Sequence, residues 1–75
     1  MDKDIAAQRL KAVSAALGVQ LKDMAEQTGI NFKQMYAYSG GQSLPNWTTL
    51  DKILTTYPTV SAEFLMRGKG SVLHE

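Results

Sequence analysis

The breakers in this chain constrain its fold more tightly than any apolar run does. Two prolines, at 45 and 58, and six glycines, at 18, 29, 40, 41, 68 and 70, stand between segments of roughly helical length. Proline removes a backbone donor and disfavours helix at the residue before it, and glycine takes the left-handed conformation that commonly ends a helix. No segment sustains an alternation of apolar and polar residues, so short helices are expected rather than strands. The 75 residues leave room for one domain, 1–75, with an ordered core over about 4–67 and a tail over 68–75. Domains near this size bury only about 60% of their unfolded surface. With no cysteine to form a disulfide, close helix packing, often with a partner chain, must supply the stability.

Five helices are expected. The first runs from about Asp2 to Leu17, with Ala6, Leu10, Val13 and Leu17 on one stripe and Gly18 as its stop. The second covers about Leu21 to Gln27, and Gly29 follows as the turn. The third has the best-specified start. Asn31 is a strong N-cap, Gln34 completes a variant capping box, and Ile30 and Met35 form a hydrophobic staple. It ends near Ser39. The fourth opens after Pro45 with Asn46 as its cap and carries the stripe Trp47, Leu50, Ile53, Leu54 and Tyr57. The fifth runs from Ser61 to about Arg67, with Val60 and Leu65 as a second staple.

Composition removes several classes of function. There is no thiolate metal site, and the lone histidine, His74, sits in the tail, which excludes a histidine-rich metal site and argues against a histidine-based triad. The carboxylates do not cluster; Asp23 and Glu63 lie at helix starts, where the dipole favours them. The reading is therefore a protein that is not an enzyme and that needs no cofactor. No apolar run approaches the ~18 residues of a membrane span. The opening Met1, Asp2, Lys3 and Asp4 lacks the basic, then apolar, pattern of a signal peptide, so a cytoplasmic, nucleoid-associated location is expected. The net charge of +1 leaves nucleic acid open as a partner, because the distribution of charge matters more than its sum.

The informative unit is residues 21–38, two short helices across a tight glycine turn. Such a pair needs a small residue where the helices cross, a turn residue, and large residues facing the core. Ala25, Gly29, Ile30, Met35 and Tyr38 meet those needs in order. Lys33, Tyr36 and Ala37 then fall on the opposite, exposed side. Between Gln27 and Leu50 the only charged residue is Lys33.

With RLKAV at 9–13, LKDMAEQTGINFKQMYAY at 21–38, Pro45 and Leu50 in the fourth helix, and VSAEFLMRGKG at 60–70, the chain resembles the phage-repressor-like family. This is the Cro/repressor or XRE type of helix-turn-helix domain, and the resemblance extends from about residue 8 to 70. It implies a lambda-repressor-like, five-helix fold with the helix-turn-helix at helices 2 and 3. Two departures stand out. Where the family usually caps the second helix with Ser or Thr followed by Gln, this chain has Gln20 and Leu21. Where many members pair an Arg in the first helix with a Glu after the third, it has Ser14 and Ser39. Loss of both charges together avoids the roughly 3–5 kcal/mol cost of leaving one unpaired.

The resemblance implies sequence-specific binding of double-stranded DNA by a transcriptional regulator, most simply a repressor. The third helix would enter the major groove. Lys33 would donate to guanine and Gln34 to adenine, Phe32 and Ala37 would touch thymine methyls, and Tyr36 would reach a base edge or a phosphate. Gln20, Lys22, Gln42, Ser43 and Asn46 are the expected phosphate contacts. Val60 and Phe64 are the expected dimer interface, for a homodimer on a near-palindromic operator. Trp47, Tyr38, Met24 and Met35 are expected in the core, and Arg9 and Lys11 on a solvated helix face. The competing expectation is a helical protein-interaction module, antitoxin-like or an adaptor, with weak DNA affinity.

Overall fold

The structure is a computed structural model, and it describes residues 2–74. Met1 and Glu75, the ends of the expected domain, lie outside the described residues. The described residues hold five helices and no extended strand: α1 (Lys3–Leu17), α2 (Leu21–Thr28), α3 (Phe32–Ser39), α4 (Trp47–Thr56) and α5 (Ala62–Arg67). Each begins and ends within a residue or two of the breaker or cap that the sequence supplies.

The caps explain those boundaries. The Asp2 carboxylate accepts from the Ile5 N–H at 2.8 Å and opens α1. Asn46 accepts from the Thr49 N–H at 2.9 Å and opens α4, and Ser61 accepts from the Phe64 N–H at 3.3 Å and opens α5. Each side chain satisfies one of the amides that a helix start leaves without a partner. Gly29 ends α2 with φ of 76°, and a Cβ there would meet nothing within 4 Å. The turn therefore requires glycine for its backbone conformation and not for space.

The apolar stripes meet in one core. Leu10, Val13, Met24, Met35 and Ile53 are its most deeply buried large side chains, joined by Ala25, Ile30, Tyr38, Leu50, Val60 and Leu65. α1 packs on α3 and α5, and α2 packs on α3 and α4. All four residues of the two expected staples, Ile30, Met35, Val60 and Leu65, are buried in this one cluster. Ser14 and Ser39 do not pair. The Ser14 hydroxyl donates to the Val19 carbonyl and that of Ser39 to the Tyr36 carbonyl, so each position is satisfied locally and needs no buried charge.

Several expectations need correction. Trp47 is not in the core; it is 81% exposed. It occupies the first position of α4, where side chains lean toward the helix amino end, and so it lies over the preceding loop. Val60 cannot serve a dimer face, because it is 2% exposed and forms an antiparallel bridge with Leu73. Arg9 is not simply solvated. Its guanidinium donates to the Met66 carbonyl at 3.0 Å and so places a cation at the carboxyl end of α5. The segment after Gly68 has no helix, as expected, but it is tied down. The Ser61 N–H donates to the Val72 carbonyl at 2.8 Å, the His74 N–H donates to the Thr59 carbonyl at 2.6 Å, and Val72 and Leu73 pack against the core.

Candidate nucleic-acid interface

α3 divides into two faces. Met35, Tyr38 and Ser39 are buried, while Phe32, Lys33, Gln34 and Tyr36 are exposed. The buried face fixes the exposed one. Met35 has no exposed surface. The Tyr38 hydroxyl lies 3.3 Å from that of Thr49, which also lies 3.0 Å from Asn46 Oδ1. Asn46 Oδ1 only accepts, so Thr49 gives it the proton and Tyr38 donates to Thr49. This chain of bonds ties the end of α3 to the start of α4.

The start of α3 is held as firmly. Asn31 Oδ1 accepts from the Lys33 N–H at 2.9 Å and from the Gln34 N–H at 3.4 Å. The reverse half of the capping box is absent among the described residues: the Gln34 side chain makes no hydrogen bond and stays exposed. That leaves its amide free for a ligand. Phe32 and Tyr36, one turn apart, meet edge to face with ring centroids 4.5 Å apart and planes at 68°. They remain 45% and 48% exposed, so the contact orders the two rings without covering them. Ala37, expected on the exposed side, is half-buried.

α3 ends in a Schellman motif. The Gln42 N–H donates to the Ala37 carbonyl at 2.9 Å and the Gly41 N–H to the Tyr38 carbonyl at 3.4 Å. Gly41 takes φ of 77°, and a Cβ there would stand 2.9 Å from an Asp4 carboxylate oxygen. The Ser43 N–H also turns back to Ala37, at 3.2 Å. Gln42 and Ser43 therefore have only side-chain donors to offer an anion. Gln42 is exposed and Ser43 half-buried. Asn46 is exposed, and its oxygen is committed to the α4 cap, which leaves its NH2 as the donor.

α2 begins differently. Gln20 stands at its N-cap and makes no side-chain bond to the helix, and the first helical bond runs from the Met24 N–H to the Gln20 carbonyl at 2.9 Å. Among the described residues, no cap satisfies the amides of Leu21, Lys22 and Asp23. Gln20 and Lys22 are exposed beside them. The far end of α2 is anchored, because the hydroxyl of Tyr57, the residue that ends α4, donates to Gln27 Oε1. Burial first, and the Asp23 carboxylate second, push the Tyr57 hydroxyl above the ordinary tyrosine range.

Two apolar features lie apart from the α3 face. A groove lined by Ile5, Gln8, Arg9, Ala12, Phe64 and Gly68 runs between α1 and α5. A smaller one, lined by Leu44, Pro45, Trp47, Leu50 and Met66, carries the exposed Trp47 and the 47%-exposed Leu44 on its rim. Trp47 was the signal that sequence reading missed, because its apolar character and spacing joined it to the α4 stripe. No helix among the described residues is long and apolar enough to cross a membrane. Comparison with known proteins matches this chain to no protein-family model, no curated protein and no solved structure.

Proposed function

We propose that the chain binds double-stranded DNA through the α2–α3 pair, used as a helix-turn-helix of the phage-repressor type, and acts as a transcriptional regulator by occupying an operator. The observation that carries this reading is the division of α3, whose core-anchored face presents Phe32, Lys33, Gln34 and Tyr36 together to the outside. Lys33 and Gln34 are the side chains that major-groove edges of guanine and adenine accept. The open start of α2, with Gln20 and Lys22 beside it, suits a backbone phosphate. The Gln42, Ser43 and Asn46 side chains supply further polar contacts. The half-buried Phe64 and its groove suit a homodimer, which would set two α3 helices about 34 Å apart on a near-palindromic site.

The test is selection from a random duplex pool, followed by binding of the winning sequence at two salt concentrations. An enriched inverted repeat that binds more weakly at high salt is the expected result. Lys33→Ala should then relax preference at one base position at a cost of ~1–3 kcal/mol. Equal weakening on every sequence would make Lys33 a phosphate contact.

A second reading rests on a different observation. The exposed Trp47 and Leu44 beside an apolar groove favour a protein-interaction module with little DNA affinity. Trp47→Ala would abolish binding of such a partner and leave duplex binding nearly unchanged.

A further inference from the structure

We propose that the groove between α1 and α5 binds a small organic acid, with the carboxylate held by Arg9 and the apolar body laid against Ile5, Ala12 and Phe64. Ile5, Gln8, Arg9 and Ala12 stand at i, i+3, i+4 and i+7, so they form a second stripe on α1 beside the buried one of Ala6, Leu10 and Val13. This second stripe is apolar on either side of a single cation. Phe64 in α5 and Gly68 at its cap make the facing wall. Ile5 is 39% exposed and Phe64 half-buried, so the fold leaves both with apolar surface to cover.

Arg9 selects the ligand. Its Nη1 donates to the Met66 carbonyl at 3.0 Å, which fixes the half-buried guanidinium in place, and it lies against Gly68, where a Cβ would stand 2.7 Å from Nη2. Among the described residues Nε and Nη2 have no acceptor and no carboxylate pairs with Arg9; the one ion pair is Arg67 with Glu63, 3.9 Å apart. A positioned guanidinium with donors to spare is matched by a carboxylate, which takes two N–H groups side by side. Gln8 adds an exposed amide to the rim. The groove holds about 470 Å³, within the ~300–1,000 Å³ of small-molecule sites, and the stripe from Ile5 to Ala12 covers only ~10 Å along the helix axis, which suits a short acid. The groove beside Trp47, at about 200 Å³ and with no charged residue in its lining, falls below that range. An acid over Phe64 occupies the face that the reading above gives to a second copy and so competes with dimer formation. That consequence rests on the reading above; the binding itself does not.

The experiment titrates the full chain, followed by amide chemical shifts, with octanoate and, as head-group controls, with octanol and octylammonium. Saturable octanoate shifts at 5–12 and 64–68, with octanol at least about tenfold weaker and octylammonium without effect, are the expected result. Arg9→Gln should bring octanoate down to the level of octanol. The comparison of head groups on the unaltered protein decides the matter even if that variant folds poorly. Equal affinity for octanoate and octanol overturns the role of Arg9, and the absence of saturable shifts at these residues overturns the site. Shifts at the same residues on concentrating the chain alone, unchanged by octanoate, give the groove to a second copy and overturn the proposal as well. No DNA is present, so failure to select a duplex leaves this test untouched.

Discussion

α2 and α3 have the same length, eight residues each, yet their starts are built in opposite ways. α3 begins on Asn31, whose oxygen gathers two amides, and its buried face runs into the Tyr38–Thr49–Asn46 chain. α2 begins on Gln20 with no side-chain cap, and is secured instead at its far end through Gln27 and Tyr57. Stability and ligand binding draw on the same amides, so a capped start favours the fold and an open one leaves donors for an anion. On the proposed function the two helices would have different duties: α3 would present side chains from a fixed position, and α2 its uncapped backbone amides.

The largest effect that probes this contrast lies on the hidden face of α3. Met35→Ala should lose about 2–5 kcal/mol in urea unfolding, because it empties a fully buried site. Tyr36→Ala, one residue along on the exposed face, should change stability by no more than about 0.5 kcal/mol. Equal losses at the two positions would mean that the faces are not separated as described.

The caps give the next effect. Asn31→Ala should cost about 1 kcal/mol, while Gln20→Ala should stay within a few tenths. Gln20→Ser sharpens the contrast from the other side. It supplies the cap that α2 lacks and should raise the unfolding midpoint, by up to about 1 kcal/mol of stability. No gain would show that the α2 amides are already satisfied.

The smallest effect concerns the anchor at the far end of α2. The Tyr57 hydroxyl holds its proton more tightly in the folded chain than in the unfolded one. Its contribution is therefore full below the ordinary tyrosine pKa of about 10 and is lost as pH rises through the higher folded value. Unfolding midpoints followed into alkali should fall over that range, and Tyr57→Phe should flatten part of the decline.

The sequence made the helices legible where signals were local. Asn31, Asn46 and Ser61 each cap within three residues of themselves, as expected, and Asp2, read as the first residue of the first helix, is its cap. The exposure of Lys33 and Tyr36 followed from the period of one helix once Met35 and Tyr38 were placed inward, but Ala37, expected beside them, is half-buried. What failed was non-local. Val60 is covered because residues 72–74 return to pair with 59–61, which no short-range pattern announces. Arg9 is drawn from solvent by the Met66 carbonyl, 57 positions away. Trp47 matched the α4 stripe by type and spacing, but the first helical turn has no preceding turn to roof it.

The central claim is that the outward face of α3 and the open start of α2 together contact duplex DNA. Amide chemical-shift mapping during titration with a mixed-sequence duplex at low salt tests it most directly. The account predicts shifts concentrated at 20–23 and 31–37, with weaker ones at 42–46, all fading as salt is added. Shifts confined to Leu44, Trp47, Leu50 and Met66, or no shifts at all, would contradict it.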